Sequence, residues 1–234
     1  MTSTTRATGR ATARRRAAAG VLAACLVLAL SACGGAAAPP AADKVLGEAN
    51  PSGECPAVRA DRTVDSIVSR TRPFGLPTLV EFARDDHVVN VISGTVTATR
   101  VQVMEPGASV VTILTVAVER QRETGRPTTV TVRENGGIAT LAQVRSGFEG
   151  KGFPEPSEEE LAETTAHRID GIELSCVGER VLVVVADDTA TQKKQGAYSS
   201  LVRLVRKGNS PTYTWPGKAP NPKWERTVDI ESLM

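Results

Sequence analysis

The sequence predicts a mainly β domain in which five strands close into a small barrel, with one or two short helices and a disulfide. Residues 55–234 carry repeated runs of alternating β-branched residues, which are typical of strands. Gly- and Pro-containing turns separate these runs, and the first run is long enough to bend around a barrel. A β-sandwich is the alternative fold for the same pattern.

The five predicted strands cover 87–104, 109–119, 128–134, 180–187 and 197–206. In the first strand the apolar phase shifts after Val96, which indicates a bulge or sharp coil, with Gly94 as the expected bend. The fourth strand, RVLVVVAD, is apolar almost throughout, as is typical of a strand covered on both faces.

Two short helices are expected beside these strands, at 77–84 and at 157–168. The second begins after Pro156 with Ser157 and Glu160 in the spacing of a capping box. His167 would then lie near the helix C-terminus, where the helix dipole favours a positive charge.

The order of the elements suggests an OB-like barrel, because the first strand is long and bent and an irregular segment separates the third strand from the fourth. The stretches VISGTV (91–96) and GERVLV (178–183) resemble strands of secreted barrel domains related to the OB and netrin-type modules. That resemblance implies a role in protein–protein contact. The chain departs from the pattern by an insertion at 138–176 and by a Pro- and aromatic-rich extension at 206–234.

The N-terminus reads as an export signal. Five arginines and no acidic residue precede a short apolar run from Ala17 to Leu30, too short for an ordinary membrane-spanning helix. A retained membrane anchor is the alternative interpretation, and the export route, general or twin-arginine, stays open. The exit Leu30-Ser31-Ala32-Cys33 resembles the lipobox of bacterial lipoproteins. The resemblance implies cleavage after residue 32, lipidation of Cys33, and a location at the extracytoplasmic face of the cell membrane.

Removing residues 1–32 changes the charge of the chain. The full sequence has 28 basic and 26 acidic residues, and the leader accounts for five of the basic ones, so the mature chain carries a formal charge of −3. The apparent basicity therefore gives no reason to expect a nucleic-acid partner.

The mature chain divides into a tether and one domain. Residues 33–54 are rich in Ala, Gly and Pro and are expected to form a flexible tether, and 55–234 to form a single β-rich domain. Cys55 and Cys176 are expected to form a disulfide in an oxidising compartment. A redox-active or metal-binding pair is the alternative, but the chain has no CxxC spacing and only two histidines.

Catalytic motifs are absent from the sequence, and no cofactor or metal site is expected. The most unusual segment concentrates Tyr213, Trp215, Lys218, Lys223 and Trp224 among several prolines. Aromatic rings stack on sugars or peptide side chains, and lysines attract anions, so this segment is a candidate contact surface. The alternative is structural: the aromatics would plug the open end of the barrel.

The favoured function is a lipid-anchored, non-enzymatic binding module whose partner is an envelope protein or a cell-wall polymer. Two alternatives stay open. One is an envelope enzyme with a site on the 138–176 insertion, using Glu158, Glu159 and Glu160. The other is a carrier that holds a small ligand inside the barrel, although small barrels usually fill their interior with side chains.

Overall fold

A computed structural model describes residues 46–66, 75–104, 109–125, 127–147, 149–152, 154–186 and 198–234. The described strands are β1 (Arg62–Ser66), β2 (Val88–Met104), β3 (Ser109–Gln121), β4 (Thr129–Asn135), β5 (Gly137–Thr140), β6 (Thr164–Ile169), β7 (Arg180–Ala186), β8 (Tyr198–Arg206), β9 (Thr212–Thr214) and β10 (Thr227–Asp229). The described helices are α1 (Leu79–Ala83), α2 (Leu141–Val144) and α3 (Glu158–Ala162), with 3-10 turns at Arg145–Gly147 and Ile230–Ser232.

Five of these strands form a closed barrel in the order β2-β3-β4-β8-β7, and β7 pairs with both β2 and β8. Every neighbouring pair is antiparallel except β4 and β8, which run parallel. The predicted five-stranded, OB-like barrel is confirmed, and all five of its strands are the ones that the alternating pattern predicts. Closure of the sheet through β7 and β8 rules out the alternative of two stacked sheets.

The long strand β2 bends where the sequence predicts a bend. Its pairing with β3 shifts register between Ser93 and Gly94 and again between Val96 and Ala98. At Gly94 the neighbouring backbone comes so close that an added Cβ would lie 2.1 Å from the carbonyl oxygen of Ala117. The glycine therefore permits the close approach of β3 that lets one strand serve two sides of the barrel.

We expect Gly94→Ala to lower the free energy of unfolding by about 1–3 kcal/mol, because the new methyl group can be accommodated only by moving β3 backbone. Urea denaturation of the disulfide-intact protein measures the change. Gly75→Ala is the matched control, since an added Cβ there meets no atom within 4 Å. The control should stay within about 0.5 kcal/mol of the wild-type chain. Equal effects of the two substitutions would contradict the account of the bend.

The barrel strands bury apolar side chains on both faces. Side chains from β2, β3, β4 and β7 fill the interior: Ile92, Val96, Leu114, Val116, Val130, Val132, Val181, Val183 and Val185. The alternate residues of β7, Leu182 and Val184, face a second cluster outside the barrel, together with α1 and the C-terminal extension. The continuous apolar run of the fourth predicted strand is thus explained, because both faces of β7 are covered.

The insertion adds a second, smaller sheet, in which β6 lies between β1 and β5. The expected helix over 157–168 is right only in its first half. Ser157 and Glu160 form the predicted capping box of α3, but the helix ends at Ala162 and β6 follows at once. The β-branched residues Thr164 and Thr165 favour a strand, and backbone pairing on both sides stabilises it.

His167 therefore lies on β6 and not at a helix C-terminus, so the expectation of a favoured positive charge is wrong. Partial burial lowers the pKa of this imidazole below its ordinary value. Among the described residues no hydrogen-bond partner reaches the buried Nε2 atom, and burial without a partner costs a charged ring more than a neutral one.

The predicted disulfide is confirmed: Cys55 and Cys176 are bonded, with their Cα atoms 5.6 Å apart. The chain before Cys55, assigned to the tether by its composition, is described from Leu46 onward, and there it lies against the body. Leu46 is buried beside Ile138, and Ala49 N donates to the carbonyl oxygen of Val177 at 2.7 Å. One buried leucine and a few backbone bonds stabilise this stretch, and average composition does not detect them. Residues 33–45 of the tether lie outside the described residues.

Candidate binding pocket at the barrel seam

The only parallel neighbours in the barrel, β4 and β8, are joined by just two residue pairs, Val132 with Tyr198 and Arg133 with Ser199. Beyond these pairs the strands separate, and a cavity of about 200 Å³ opens between them. We call this cavity the seam pocket. The barrel strands contribute Glu134, Asn135, Ser200, Leu201, Val202 and Arg203 to its lining, and neighbouring segments contribute Ile169, Ile172, Trp215 and Pro220.

Glu134 and Arg203 form the polar floor of the seam pocket. Together with Glu179, which pairs with Arg203 in the adjoining barrel interior, they make up a group of three charged side chains that we call the ion cluster. The Arg203 guanidinium, 3% exposed, lies between the carboxylates of Glu134 and Glu179, which are 14% and 7% exposed. Arg203 Nη1 donates to Glu179 Oε2 at 2.8 Å, and Nη2 donates to the backbone oxygen of Glu173. Arg203 Nε is 3.0 Å from Glu134 Oε1, but its N–H does not point at that oxygen, so this contact is an ion pair only.

Strand alternation explains why these charges face inward. Glu134 continues the interior phase of Val130 and Val132 on β4, and Glu179 immediately precedes the phase that begins with Val181 on β7. On β8, Arg203 stands between two residues that face the outer cluster, so its own side chain turns inward. Two hydroxyls donate to the Glu134 carboxylate: Ser175 Oγ to Oε2 at 3.3 Å, and Ser200 Oγ, which also lines the pocket, to Oε1 at 3.4 Å.

Burial sets the ionisation of the ion cluster. Burial raises the pKa of the Glu179 carboxyl above its ordinary value, and the nearby Arg203 guanidinium offsets only part of this effect. Burial also opposes the charge on Arg203, but attraction from Glu134 and Glu179 outweighs it and raises the pKa of the guanidinium. The cluster therefore holds a permanent cation, and protonation of Glu179 reduces the negative charge around it.

A pH titration of stability tests this assignment. A raised folded-state pKa means that the native chain binds the Glu179 proton more tightly than the unfolded chain does. The associated stability is fully present below the ordinary carboxyl pKa and is lost as pH rises through the raised value. We therefore expect the unfolding free energy of the wild type, minus that of Glu179→Gln, to fall as the pH rises above the ordinary carboxyl pKa of about 4. A difference that stays flat or grows would contradict the assignment.

Glu231→Gln supplies a control of opposite sign. Hydrogen bonds from Arg120 lower the pKa of Glu231, so its stabilising contribution is present above the ordinary carboxyl pKa and is lost as pH falls. The same subtraction for this variant should therefore rise with pH.

Trp215 forms an aromatic wall of the seam pocket. Its Nε1 donates to the backbone oxygen of Glu225 at 2.8 Å, and its ring stacks on Trp224 with centroids 5.9 Å apart. Trp224 in turn packs on Phe82 and donates from Nε1 to the backbone oxygen of Leu76 at 2.9 Å. The wall is thus held in one orientation by the hydrophobic cluster behind it.

The residues proposed as a contact surface have different environments in the structure. Tyr213 and Trp224 are 1% and 3% exposed and belong to the outer hydrophobic cluster, so neither ring presents a face to a partner. They pack against side chains of β2, β7 and β8 in this cluster, so both rings have a structural role, as the second interpretation of the segment expects. Lys218 and Lys223 are exposed. Trp215 alone of the five lines the seam pocket.

The ion cluster was not predicted from the sequence, although the sequence contains a signal for it. Arg203 is a charged residue inside the apolar run LVRLV of β8, and Glu179 adjoins the apolar strand β7. A charge at an interior position of a barrel strand needs an opposite charge nearby. Which carboxylates supply it depends on the parallel contact of β4 and β8, which no local pattern predicts.

A larger cavity, of about 670 Å³, lies on the insertion and is lined by residues that include Arg145, Glu149 and Glu160. Glu160 belongs to the acidic triplet that the enzyme alternative uses, but its carboxylate accepts hydrogen bonds from Ser157, which lower its pKa. A general acid needs a raised carboxyl pKa, so this environment does not favour acid catalysis by Glu160. Glu158 and Glu159 are exposed.

Among the described residues there is no cluster of three or more His, Cys, Asp or Glu side chains able to hold a metal ion. The described helices include none with the length and apolar character needed to span a bilayer. No family model, curated protein or solved structure matches this chain.

Proposed function

We propose that this chain is a lipid-anchored binding module of the bacterial cell envelope. In this proposal Cys33 carries the lipid, the domain lies at the extracytoplasmic face of the cell membrane, and its ligand, an envelope protein or wall polymer, enters the seam pocket. The observation that carries the proposal is the pocket itself, in which a fixed indole wall stands beside buried polar groups. Ligand sites are typically concave, with apolar walls and a few fixed polar groups.

The surroundings of each site favour binding in the seam pocket over the two alternatives, a ligand carried inside the barrel and an enzyme site on the insertion. Nine buried apolar side chains fill the described barrel interior, which leaves little room for a carried ligand. On the insertion, the hydrogen-bonded carboxylate of Glu160 is the reverse of what an acid catalyst requires. The seam pocket, by comparison, combines a cavity with side chains already held in place, and this reduces the entropy lost on binding.

The envelope location is supported by the leader and by the disulfide. The lipobox-like residues 30–33 follow a basic and then an apolar segment, and two acyl chains on one cysteine supply the double signal that stable anchoring requires. The Cys55–Cys176 bond is of the kind that persists outside the cytoplasm.

Palmitate labelling of the full chain in a bacterial host tests the anchor. We expect radiolabel in the wild type and in a Cys25→Ser control, whose cysteine lies within the discarded leader, and none in Cys33→Ser. The Cys33→Ser chain should also leave the membrane fraction. A Cys33→Ser chain that stays equally membrane-bound, with no label entering the wild type, would overturn the anchored part of the proposal.

A further inference from the structure

We propose that the seam pocket binds one neutral sugar ring, the apolar face of which lies on Trp215 while its hydroxyls meet the polar floor. This inference rests on the proposed function and names the class of ligand for the same site. It follows from the chemistry that the pocket brings together: an indole wall, aliphatic side chains from Ile169 and Ile172, and a floor of carboxylate, hydroxyl and guanidinium groups.

The ion cluster disfavours charged ligands of either sign. An anion drawn toward Arg203 would meet the carboxylates of Glu134 and Glu179, which already hold that guanidinium at 3.0 and 2.8 Å. A cation drawn toward Glu134 would have to compete with a guanidinium that is almost fully buried. Like charges brought together at low solvent exposure repel strongly. A neutral ligand avoids both penalties.

The floor can both donate and accept hydrogen bonds. Glu134 accepts, the Ser200 hydroxyl does both, and the lining also includes the amide-bearing residue Asn135. A ligand that satisfies such a floor needs several hydroxyl or amide groups. The indole ring of Trp215, which also lines the pocket, suits a ligand with a C–H-rich face. A pyranose ring has both features.

The size of the pocket restricts the ligand to one ring. Its volume is about 200 Å³. Drug-sized ligands occupy pockets of about 300–1,000 Å³, so a single ring fits better than an extended chain. The ring can be a free monosaccharide or the terminal unit of a wall polymer, and co-sedimentation with cell-wall sacculi separates these sources.

Saturation-transfer NMR on the detergent-solubilised, disulfide-intact protein tests the inference. The probes are methyl α-D-glucopyranoside and N-acetylglucosamine, which are neutral, with glucosamine and glucuronic acid as charged counterparts of similar size. We expect transfer to ring protons of at least one neutral probe and at least tenfold weaker binding of both charged ones. Absence of transfer to both neutral probes, or equal binding of the charged ones, overturns the inference.

Two variants locate the binding site. Trp215→Leu removes the indole wall while keeping an apolar side chain, and we expect about tenfold weaker binding of the neutral probe. Ile172→Trp fills the pocket from a separate loop and should abolish binding, which covers the case in which Trp215→Leu disturbs folding. Arg226→Ala, exposed in the same C-terminal extension as Trp215 and outside the pocket lining, is the matched control and should bind like the wild type. Unchanged binding in both pocket variants overturns the assignment.

Co-sedimentation with purified cell-wall sacculi separates the two sources of the ring. Sedimentation that methyl glycoside competes away indicates a polymer end, and binding of the free glycoside without sedimentation indicates a monosaccharide; both support the sugar inference.

Failure of this inference is distinguishable from failure of the proposed function. If the chain binds no neutral ring, but is labelled at Cys33 and captures an envelope protein through Trp215, only the sugar inference fails. If the chain is unlabelled and soluble, the envelope location in the proposed function fails.

Discussion

Replacing Arg203 with methionine is expected to lower the free energy of unfolding by about 3–5 kcal/mol. The reason is that removing the cation from a buried ion cluster leaves its carboxylates without a compensating charge. In this chain the carboxylates of Glu134 and Glu179 would both remain at low exposure without their cation. Methionine keeps most of the side-chain volume, so the loss reports charge more than packing. Urea denaturation at neutral pH, with the disulfide intact, measures it.

Two comparisons isolate the electrostatic cause. Adding Glu134→Gln and Glu179→Gln to Arg203→Met removes the uncompensated charges and should recover most of the lost stability. Arg120→Met is the surface control, because the Arg120–Glu231 pair is 46% and 67% exposed and solvent screens exposed pairs of that kind, so their loss changes stability little. An Arg203→Met chain no less stable than Arg120→Met would show that the ion cluster does not stabilise the seam.

Removing the disulfide by the double substitution Cys55→Ala, Cys176→Ala is expected to cost about 4–5 kcal/mol, because the bond closes a loop with a sequence separation of 121 residues. The bond also joins the segment ahead of β1 to the residues that lead into β7, next to the backbone contact between Ala49 and Val177. Its loss should therefore expose this N-terminal segment first. Denaturation and limited proteolysis together measure the global and the local effects.

Reduction provides the matched control for the double variant. Dithiothreitol should destabilise the wild-type chain toward the level of Cys55→Ala, Cys176→Ala and should leave the double variant unchanged. Thiol titration of the unreduced, unfolded mature protein should find neither of these cysteines reactive. Two reactive thiols, or a stability loss below about 1 kcal/mol, would contradict a structural role for the bond.

The barrel was predictable because its signal is local. Alternating β-branched residues mark each barrel strand, and the phase shift after Val96 marks the bend at Gly94. The second sheet was not predictable in the same way, since β6 depends on pairing with β1, about one hundred residues away in sequence. The Ser157 capping box begins a helix correctly but carries no information about where the helix ends.

The candidate site was predictable only in part, because it depends on contacts between distant segments. The concentration of aromatic residues near the C-terminus led to Trp215, which lines the seam pocket. The same reasoning included Tyr213 and Trp224, which are buried, because composition cannot distinguish a ring that packs on a barrel from one that faces a ligand. The carboxylates that hold Arg203 come from β4 and from the residue before β7, and only the closed barrel brings them together.

The mass of the mature N-terminal peptide tests most directly whether lipid anchors this domain outside the cytoplasm. The peptide is released by protease from the membrane fraction of a bacterial host that expresses the full chain. We expect a peptide that begins at residue 33 with a diacylglycerol group on the cysteine sulfur. An N-terminal peptide that retains leader residues, or a Cys33 thiol without lipid, would contradict it.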